Sequence, residues 1–475
     1  MSNKLNRRTF LQNSVAIGTL VSTGALASAS VLGPQIALAQ TRTSGGENSF
    51  KPERKKLSIH HNLDFSSIPL FIGRDMGFAT AQGIELSLRK AKSAENTIKA
   101  LKEGKIDAAV LPPETPLTDL FEQDGSSEEQ LVTAFCMGLN SSALTIRPSL
   151  YHQMVEADRE SMSAVRPTRS SALAKVISAR KRNKMRPLRF GVTNRYGAHE
   201  LMARYWLAEG GVDPDDGIEF FAMSGPVLVA SLKAGAIDGF LAQDPWCSHA
   251  INKELGYAVI SGGEIWSNAP AATLVVSLGW AQRNPNSHRA LIRCLSEAGL
   301  WCDTLDNRSE LIRRMMQKDT MNAPRKVLEN SLNGTFTYIS QIEAEPAPDF
   351  STFHRYAANF PWRSDAVWYL AQLTRWGFFD TAFDMRRVAL SVYRPDLYRA
   401  ALSDTIAPVP KLDFRTEGSN FAPFIFEQAE TPFVMGSDAF VDGRLFNPSS
   451  ISDYLAGFEI NNMTVDLSIL SQLNG

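Results

Sequence analysis

Residues 100–111 read ALKEGKIDAAVL, and residues 231–242 read SLKAGAIDGFLA. The shared frame is Leu-Lys-x-Gly-x-Ile-Asp. Gly104 and Gly235 fall where a helix C-terminus needs a left-handed residue, and Ile-Asp then opens a strand buried between helices. Working outward, Gly83-Ile84-Glu85-Leu86 recurs as Gly217-Ile218-Glu219-Phe220. Each copy keeps one order of elements: a strand (KLSIHH, 56–61; LRFGVT, 188–193), a helix ended by Gly (PLFIGRDMG, 69–77; ELMARYWLAEGG, 200–211), and an alternating strand (IELSL, 84–88; IEFFAM, 218–223). A second helix, the Leu-Lys-x-Gly turn and a third short strand complete it. Strand–helix–strand–helix–strand is a right-handed parallel α/β unit. Helix–Gly–strand turns are common, so chance similarity is the competing reading; a true repeat makes two lobes facing a cleft at the carboxyl ends of their strands.

The rest of the chain divides around these copies. PAATLVVSLG (270–279) reads as a strand returning to the first lobe, followed by amphipathic helices near 288–304 and 308–317. The expected organisation is a leader (1–39), a linker (40–56), lobe one (57–140), lobe two (141–264), a return to lobe one (265–330) and a C-terminal extension (331–475). The extension is aromatic-rich; its clearest element is the helix SDAVWYLAQLTRW (364–376), stopped by Gly377, and it is expected to cap one lobe. The fold class is therefore α/β: a clamshell of two parallel-sheet lobes with an extension.

Composition narrows the class. The 475 residues carry 49 basic against 50 acidic side chains, which argues against a nucleic-acid partner. A 44% hydrophobic fraction excludes a disordered chain, and 31 Gly with 24 Pro is ordinary. Cys136, Cys247, Cys294 and Cys302 make no disulfide scaffold. On one helix, Cys294 and Cys302 would lie about 12 Å apart, beyond the ~7 Å a disulfide allows, so buried free thiols are expected.

MSNKLNRRTFLQ (1–12) is basic and holds Arg7-Arg8 before Thr9, Phe10 and Leu11, the twin-arginine pattern with Asn6 and Gln12 as departures. A mildly apolar stretch (14–33) leads to Ala37-Leu38-Ala39, so cleavage is expected before Gln40. An uncleaved N-terminal anchor is the alternative; a lipid anchor would need a cysteine there. The expected location is periplasmic, by the twin-arginine route.

Searches for chemistry return little. His199-Glu200 opens like a zinc-protease helix, but Ala203 stands where the second His belongs. Gly104-Lys105 lacks the rest of a phosphate loop, and neither G-x-S-x-G nor G-x-G-x-x-G occurs. Catalytic residues, metals and cofactors are not expected. The basic run Arg180-Lys181-Arg182, with Lys184 and Arg186, reads as a solvated helix face.

Binding groups should lie where strands end and helices begin. Lobe one offers Ser67, in Asp64-Phe65-Ser66-Ser67-Ile68-Pro69, at a helix N-terminus with unpaired N–H groups. Lobe two offers Gly197, Ala198 and His199; the first two let a ligand approach backbone closely, and His199 either binds or merely caps its helix. The third strands end in Pro113-Glu114-Thr115-Pro116 and Gln243-Asp244-Pro245-Trp246, placing Glu114, Asp244 and Trp246 at matching rims. Asp244 could equally be an N-cap, and Trp246 and Trp266 could be core. The crossings between lobes add Ser141, Ser142 and Thr273.

Longer stretches carry a resemblance: RYWLAEGGVDPDDGIEF (204–220), SLKAGAIDGFLAQDPWCSHAINKELGYAVISGGEIW (231–266) and NPNSHRALIRCLSEAGLWCD (284–303). FPWRSDAVWYLAQLTRWG (360–377), VYRPDLYRAAL (392–402) and DGRLFNPSSISDYL (442–455) continue it. Together they resemble the periplasmic nitrate- and bicarbonate-binding proteins of ABC importers. The resemblance implies a class II periplasmic-binding clamshell closing on a small oxyanion. It also implies an inner-membrane permease as partner and a monomeric receptor.

It maps the family's anion-binding His to His199 and its Glu-Pro-Trp to Asp244-Pro245-Trp246. Where nitrate binders have Lys, and bicarbonate binders Glu with calcium, this chain has Ala272; a family Gln appears as Ser142. Losing that Lys removes a bond worth about 1.5–3 kcal/mol, or roughly ten- to a hundredfold in affinity. The implied function is solute binding for an importer, with nitrate or nitrite as the family's ligand. Alternatives are a ligand sensor of the same fold, or a receptor for bicarbonate, a sulfonate or a pyrimidine; an enzyme is a more distant one, since related clamshells make the thiamin pyrimidine.

Overall fold

The computed structural model describes residues 51–122, 127–164 and 166–474; the leader and most of the linker lie outside them. The ten principal strands are β1 Lys56–His61, β2 Glu85–Lys90, β3 Ala108–Leu111, β4 Leu131–Cys136, β5 Ser142–Ile146, β6 Leu188–Val192, β7 Ile218–Ala222, β8 Gly239–Gln243, β9 Tyr257–Ser261 and β10 Thr273–Ser277. They form two five-stranded sheets, ordered β2-β1-β3-β10-β4 and β9-β5-β8-β6-β7. The orders superpose once β1 is matched with β6, β2 with β7, β3 with β8, β4 with β9, and β10 with β5. The repeat read from sequence is therefore a structural repeat.

Both sheets are mixed. β10 runs antiparallel to β3 and β4, and β5 antiparallel to β8 and β9. The reason is connectivity. β5 is the first strand after the chain leaves lobe one, and β10 the first after it returns. Each enters its sheet from the hinge side, against the direction of strands delivered by helical crossovers.

The repeated residues have matching roles. Gly104 and Gly235 end the helices Ala94–Lys102 and Gly225–Lys233 at φ +66° and +70°. Asp107 and Asp238, both buried, tie the third strand to the first. The Asp107 carboxylate accepts the Ser58 N–H at 2.8 Å, and the Asp107 N–H donates to Ser58 O at 2.8 Å. Asp238 exchanges the same bonds with Arg189, at 2.9 and 2.7 Å. Arg54 and the Trp280 indole complete Asp107, and Arg147 and Arg186 complete Asp238.

The return helix runs Pro285–Asp303, followed by Arg308–Met315, and the four cysteines are buried and unpaired. Among the described residues no helix is long and apolar enough to cross a membrane. The extension does not cap one lobe as expected. Ala366–Leu373 join the lobe-two core around Leu201 and Trp206, whereas Phe360, Trp362, Tyr398 and Leu402 join the lobe-one core around Leu274 and Leu291. A helix buried on every side, as Arg363–Arg375 is, has apolar residues for more than one neighbour.

Asp238→Ala leaves two guanidinium groups and a backbone N–H without their acceptor. With both arginines partly exposed, a loss of about 1–3 kcal/mol is expected, read as a lower unfolding midpoint in calorimetry. Glu219→Ala, which removes only an exposed ion pair on β7, is expected to change that midpoint little.

Candidate functional site

Two antiparallel crossings join the lobes. Met137 N–H donates to Ala272 O, Ala271 N–H to Gly138 O and Asn140 N–H to Ala269 O, at 2.8–2.9 Å. Ser351–Thr352 of the extension adds a third strand, pairing with Leu139–Asn140. Gly138, at φ +143°, allows this closeness: a Cβ there would lie 2.6 Å from Thr352 O. The strand ends of both sheets meet in front of these crossings.

The helix Ala198–Glu209 begins at this seam. Its N-cap, Gly197, has no side chain with which to cap it. Glu114, from the loop after β3 in the other lobe, comes up against this N-cap: its Oε1 lies 2.9 Å from where a Gly197 Cβ would be. Glu114 is 4% exposed, and its Oε2 has no partner. Burial pushes its carboxyl up to about 7, against the lowering effect of its own and the Ala198 N–H.

His199 is half-buried in the first turn, with Nδ1 2.9 Å from Thr193 Oγ1. Desolvation lowers it to about 4, so near neutral pH it is an uncharged imidazole. Glu200, the residue after it, is fully buried between Arg195 and Arg204, its Oε2 2.9 Å and Oε1 2.9 Å from their Nε atoms, and also accepts the Tyr196 N–H at 2.8 Å. This fixes the left-handed turn at Tyr196 (φ +56°) that delivers Gly197 and Ala198.

The other expected residues divide. The Asp244 carboxylate is spent within lobe two: it accepts Ser248 Oγ at 2.7 Å, the Ser248 N–H at 3.0 Å and the Cys247 thiol. The N-cap of the following helix is Pro245, not Asp244; Asp244 stands one residue before it and still takes an N–H of the first turn. Its carbonyl, however, accepts the Phe65 N–H at 2.8 Å, joining the two rims. Trp246 lies against Gly225, between its own helix Trp246–Asn252 and the helix Gly225–Lys233. Thr273 Oγ1 donates to Leu111 O at 3.4 Å inside lobe one, and the Ala272 methyl sits in the lobe-one core.

On the first crossing, Ser141 Oγ donates to Leu139 O and Ser351 Oγ, at 3.4 and 3.1 Å. Ser142 faces Gln243 across β5 and β8, against Gly262. Ser67 is fully buried, with no partner for its hydroxyl.

Three features escaped sequence reasoning. Thr193, three residues before the left-handed Tyr196, holds His199. Gln243, quoted in the rim motif but passed over, is buried with Nε2 unpartnered. The extension reaches the seam through Tyr393, whose hydroxyl donates to Pro113 O at 2.8 Å, and Tyr369, pushed up by burial and next by the Glu114 charge. Among the described residues no cluster of His, Cys, Asp or Glu is arranged to hold a metal.

A two-lobed α/β fold with crossed-over strands and a helix end at the inter-lobe seam is the architecture of solute receptors. The chain belongs to the NMT1-like family, whose model matches residues 51–316. It is similar to the nitrate/nitrite binding protein NrtA of Nostoc sp., 25% identical over 468 residues, 94% of this chain and 98% of that one. The bicarbonate-binding protein CmpA of Synechococcus elongatus is 25% identical over 424 residues, 86% of this chain and 87% of that one. The nitrate import ATP-binding protein NrtC of Synechocystis sp. is 28% identical over 84% of this chain, which spans only 55% of its length. Among solved structures, the periplasmic nitrate-binding protein NrtA from Synechocystis PCC 6803 has the same fold, with a TM-score of 0.74 and 21% identity over 86% of this chain and 100% of that one.

His199 titrates at about 4 in the folded chain and ordinarily at 6.5. Between those values the unfolded chain holds the proton and the folded chain does not, so stability falls as pH drops from 6.5 to 4. Glu114, held up at about 7, has the opposite sign: it penalises the fold as pH rises from 4.5 to 7. His199→Gln is therefore expected to lose less stability than wild type on acidification from pH 6.5 to 4, by at most about 1.4 kcal/mol per pH unit, measured by urea unfolding at each pH.

Proposed function

We propose that this protein is the solute-binding component of an ABC importer. It is exported to the periplasm through the twin-arginine leader at 1–39 and works as a monomer. It holds a small solute between its lobes by closure about the two crossings and presents the closed form to a permease. The observation that carries this is the helix Ala198–Glu209, whose N-cap Gly197 meets the Glu114 loop of the opposite lobe across the seam, with His199 in its first turn. A group bound there touches both lobes and links occupancy to their relative position. The names of the relatives, which bind nitrate, nitrite or bicarbonate, support the role of receptor. No step in this reading is catalytic.

A nitrate-type oxyanion is the ligand the relatives suggest. This site gives it little charge to meet: His199 is neutral, Ala272 replaces the expected cation, and Glu114 is an acid. Oxyanions are accordingly expected to bind weakly near neutral pH.

A thermal-shift panel on residues 40–475 tests the reading, with nitrate, nitrite, bicarbonate with and without calcium, sulfonates, and uncharged and cationic nitrogen compounds. A solute at about 100 times its Kd adds roughly 2.7 kcal/mol of stability. At least one is expected to raise the Tm, and His199→Ala to reduce that shift. Silence of the whole panel would count against a receptor.

A further inference from the structure

The seat that a helix N-terminus offers an anion is already filled, by this chain's own carboxylate. Three observations bear on what that does to the ligand. Glu114 crosses from lobe one to the N-cap, its Oε1 2.9 Å from where a Gly197 Cβ would be, so a carboxyl group already stands at the helix end where an anion would be received. Its second oxygen, Oε2, is buried with no donor, and so nearly enclosed a side chain (4% exposed) does not leave a carboxylate oxygen bare without cost. Gln243 Nε2, at the end of β8, the strand equivalent to the one that precedes Glu114, is a buried donor with no acceptor. His199 adds an uncharged imidazole.

We propose that Glu114 is the specificity determinant of the cleft: it displaces oxyanions from the helix end and selects a small solute that carries no negative charge and donates N–H hydrogen bonds, of the amide or amidine type. The proposal rests on the inter-lobe seam being the solute site. The solute's N–H groups pair with Glu114 Oε2. An amidinium in addition neutralises the Glu114 charge. An oxyanion offers neither. It would place a second negative charge beside a buried carboxylate, with no lysine to compensate.

Acetamide, acetamidinium and acetate share one shape and differ in charge and donors, which makes them suitable probes. Titration calorimetry of the wild type, Glu114→Gln and Glu114→Asp at pH 8 and constant ionic strength, with these three and nitrate, tests the proposal. The wild type is expected to bind acetamide or acetamidinium, and to bind them at least tenfold more tightly than acetate or nitrate. Glu114→Gln is expected to lose at least tenfold for the preferred probe and to gain at least tenfold for nitrate. Glu114→Asp, which keeps the charge but withdraws it by one methylene, is expected to lose affinity for the probe without gaining nitrate. Circular dichroism and the Tm of each variant confirm that it folds. No binding of either nitrogen probe to the wild type overturns the proposal, as does binding that Glu114→Gln leaves unchanged. Nitrate binding to the wild type that His199→Ala removes would overturn this assignment and leave the receptor reading standing.

Discussion

Neither lobe can complete its own sheet. The strand between β3 and β4 is β10, which arrives only after the chain has built lobe two; the strand between β8 and β9 is β5, which arrives straight from lobe one. Each inserted strand pairs on both sides, so its removal would split a five-stranded sheet rather than trim an edge. The crossings that carry them are hydrogen-bonded to each other at Met137–Ala272 and Asn140–Ala269. Everything at the seam follows from this exchange. It brings the carboxyl ends of both sets of parallel strands to one line, and it places Glu114 from one lobe within reach of Ala198 in the other.

The seam itself has an unusual electrostatic composition for a fold whose relatives bind anions. Its helix end faces a buried acid, its histidine is neutral, and the position that the family motif gives to a lysine is an alanine whose methyl belongs to the lobe-one core. Arg195 and Arg204 stand nearby but are committed to Glu200. Shape and charge thus separate here: the backbone shares the fold of the nitrate-binding NrtA, while the side chains at the seam offer no free positive charge.

Much of the fold was legible because its signals are local. Gly104 and Gly235 need a left-handed conformation wherever they sit, and the Ile-Asp that follows recurs because the aspartate must meet a neighbouring strand's N–H. His199 and Gly197 were legible for the same reason, as a turn entering a helix. The antiparallel sense of β5 and β10 was not, since it depends on which side of a sheet a distant segment enters. Nor was the reach of Glu114, which sequence could place at a rim but not in contact with a helix more than eighty residues away. Asp244 shows the converse. An acid before a helix is equally consistent with a cap or a ligand, and only its bonds to Ser248 and Cys247 show where its oxygens go. The extension misled because aromatic helices advertise burial without saying against what; Ala366–Leu373 and Phe360–Trp362 are close in sequence and pack into different lobes.

That double packing limits how the lobes can move. Ser351–Thr352 adds a strand to the first crossing, Trp266 of the second crossing stacks on Phe440 and packs at a tilt against Trp368, and Tyr393 bonds to Pro113 beside Glu114. A wide hinge opening would have to break these apolar contacts, which cost far more than the polar links at the rim. The rim links are the approach of Glu114 to Gly197 and the Phe65–Asp244 backbone bond. A neutral hydrogen bond contributes about 1 kcal/mol, an amount that a bound solute can replace. In the proposed receptor, solute entry needs little more than a small separation of the two rim loops, with the crossings and the extension kept together by their apolar contacts. In that proposal the carboxyl group assigned to selectivity is also the one a ligand must displace from the helix end.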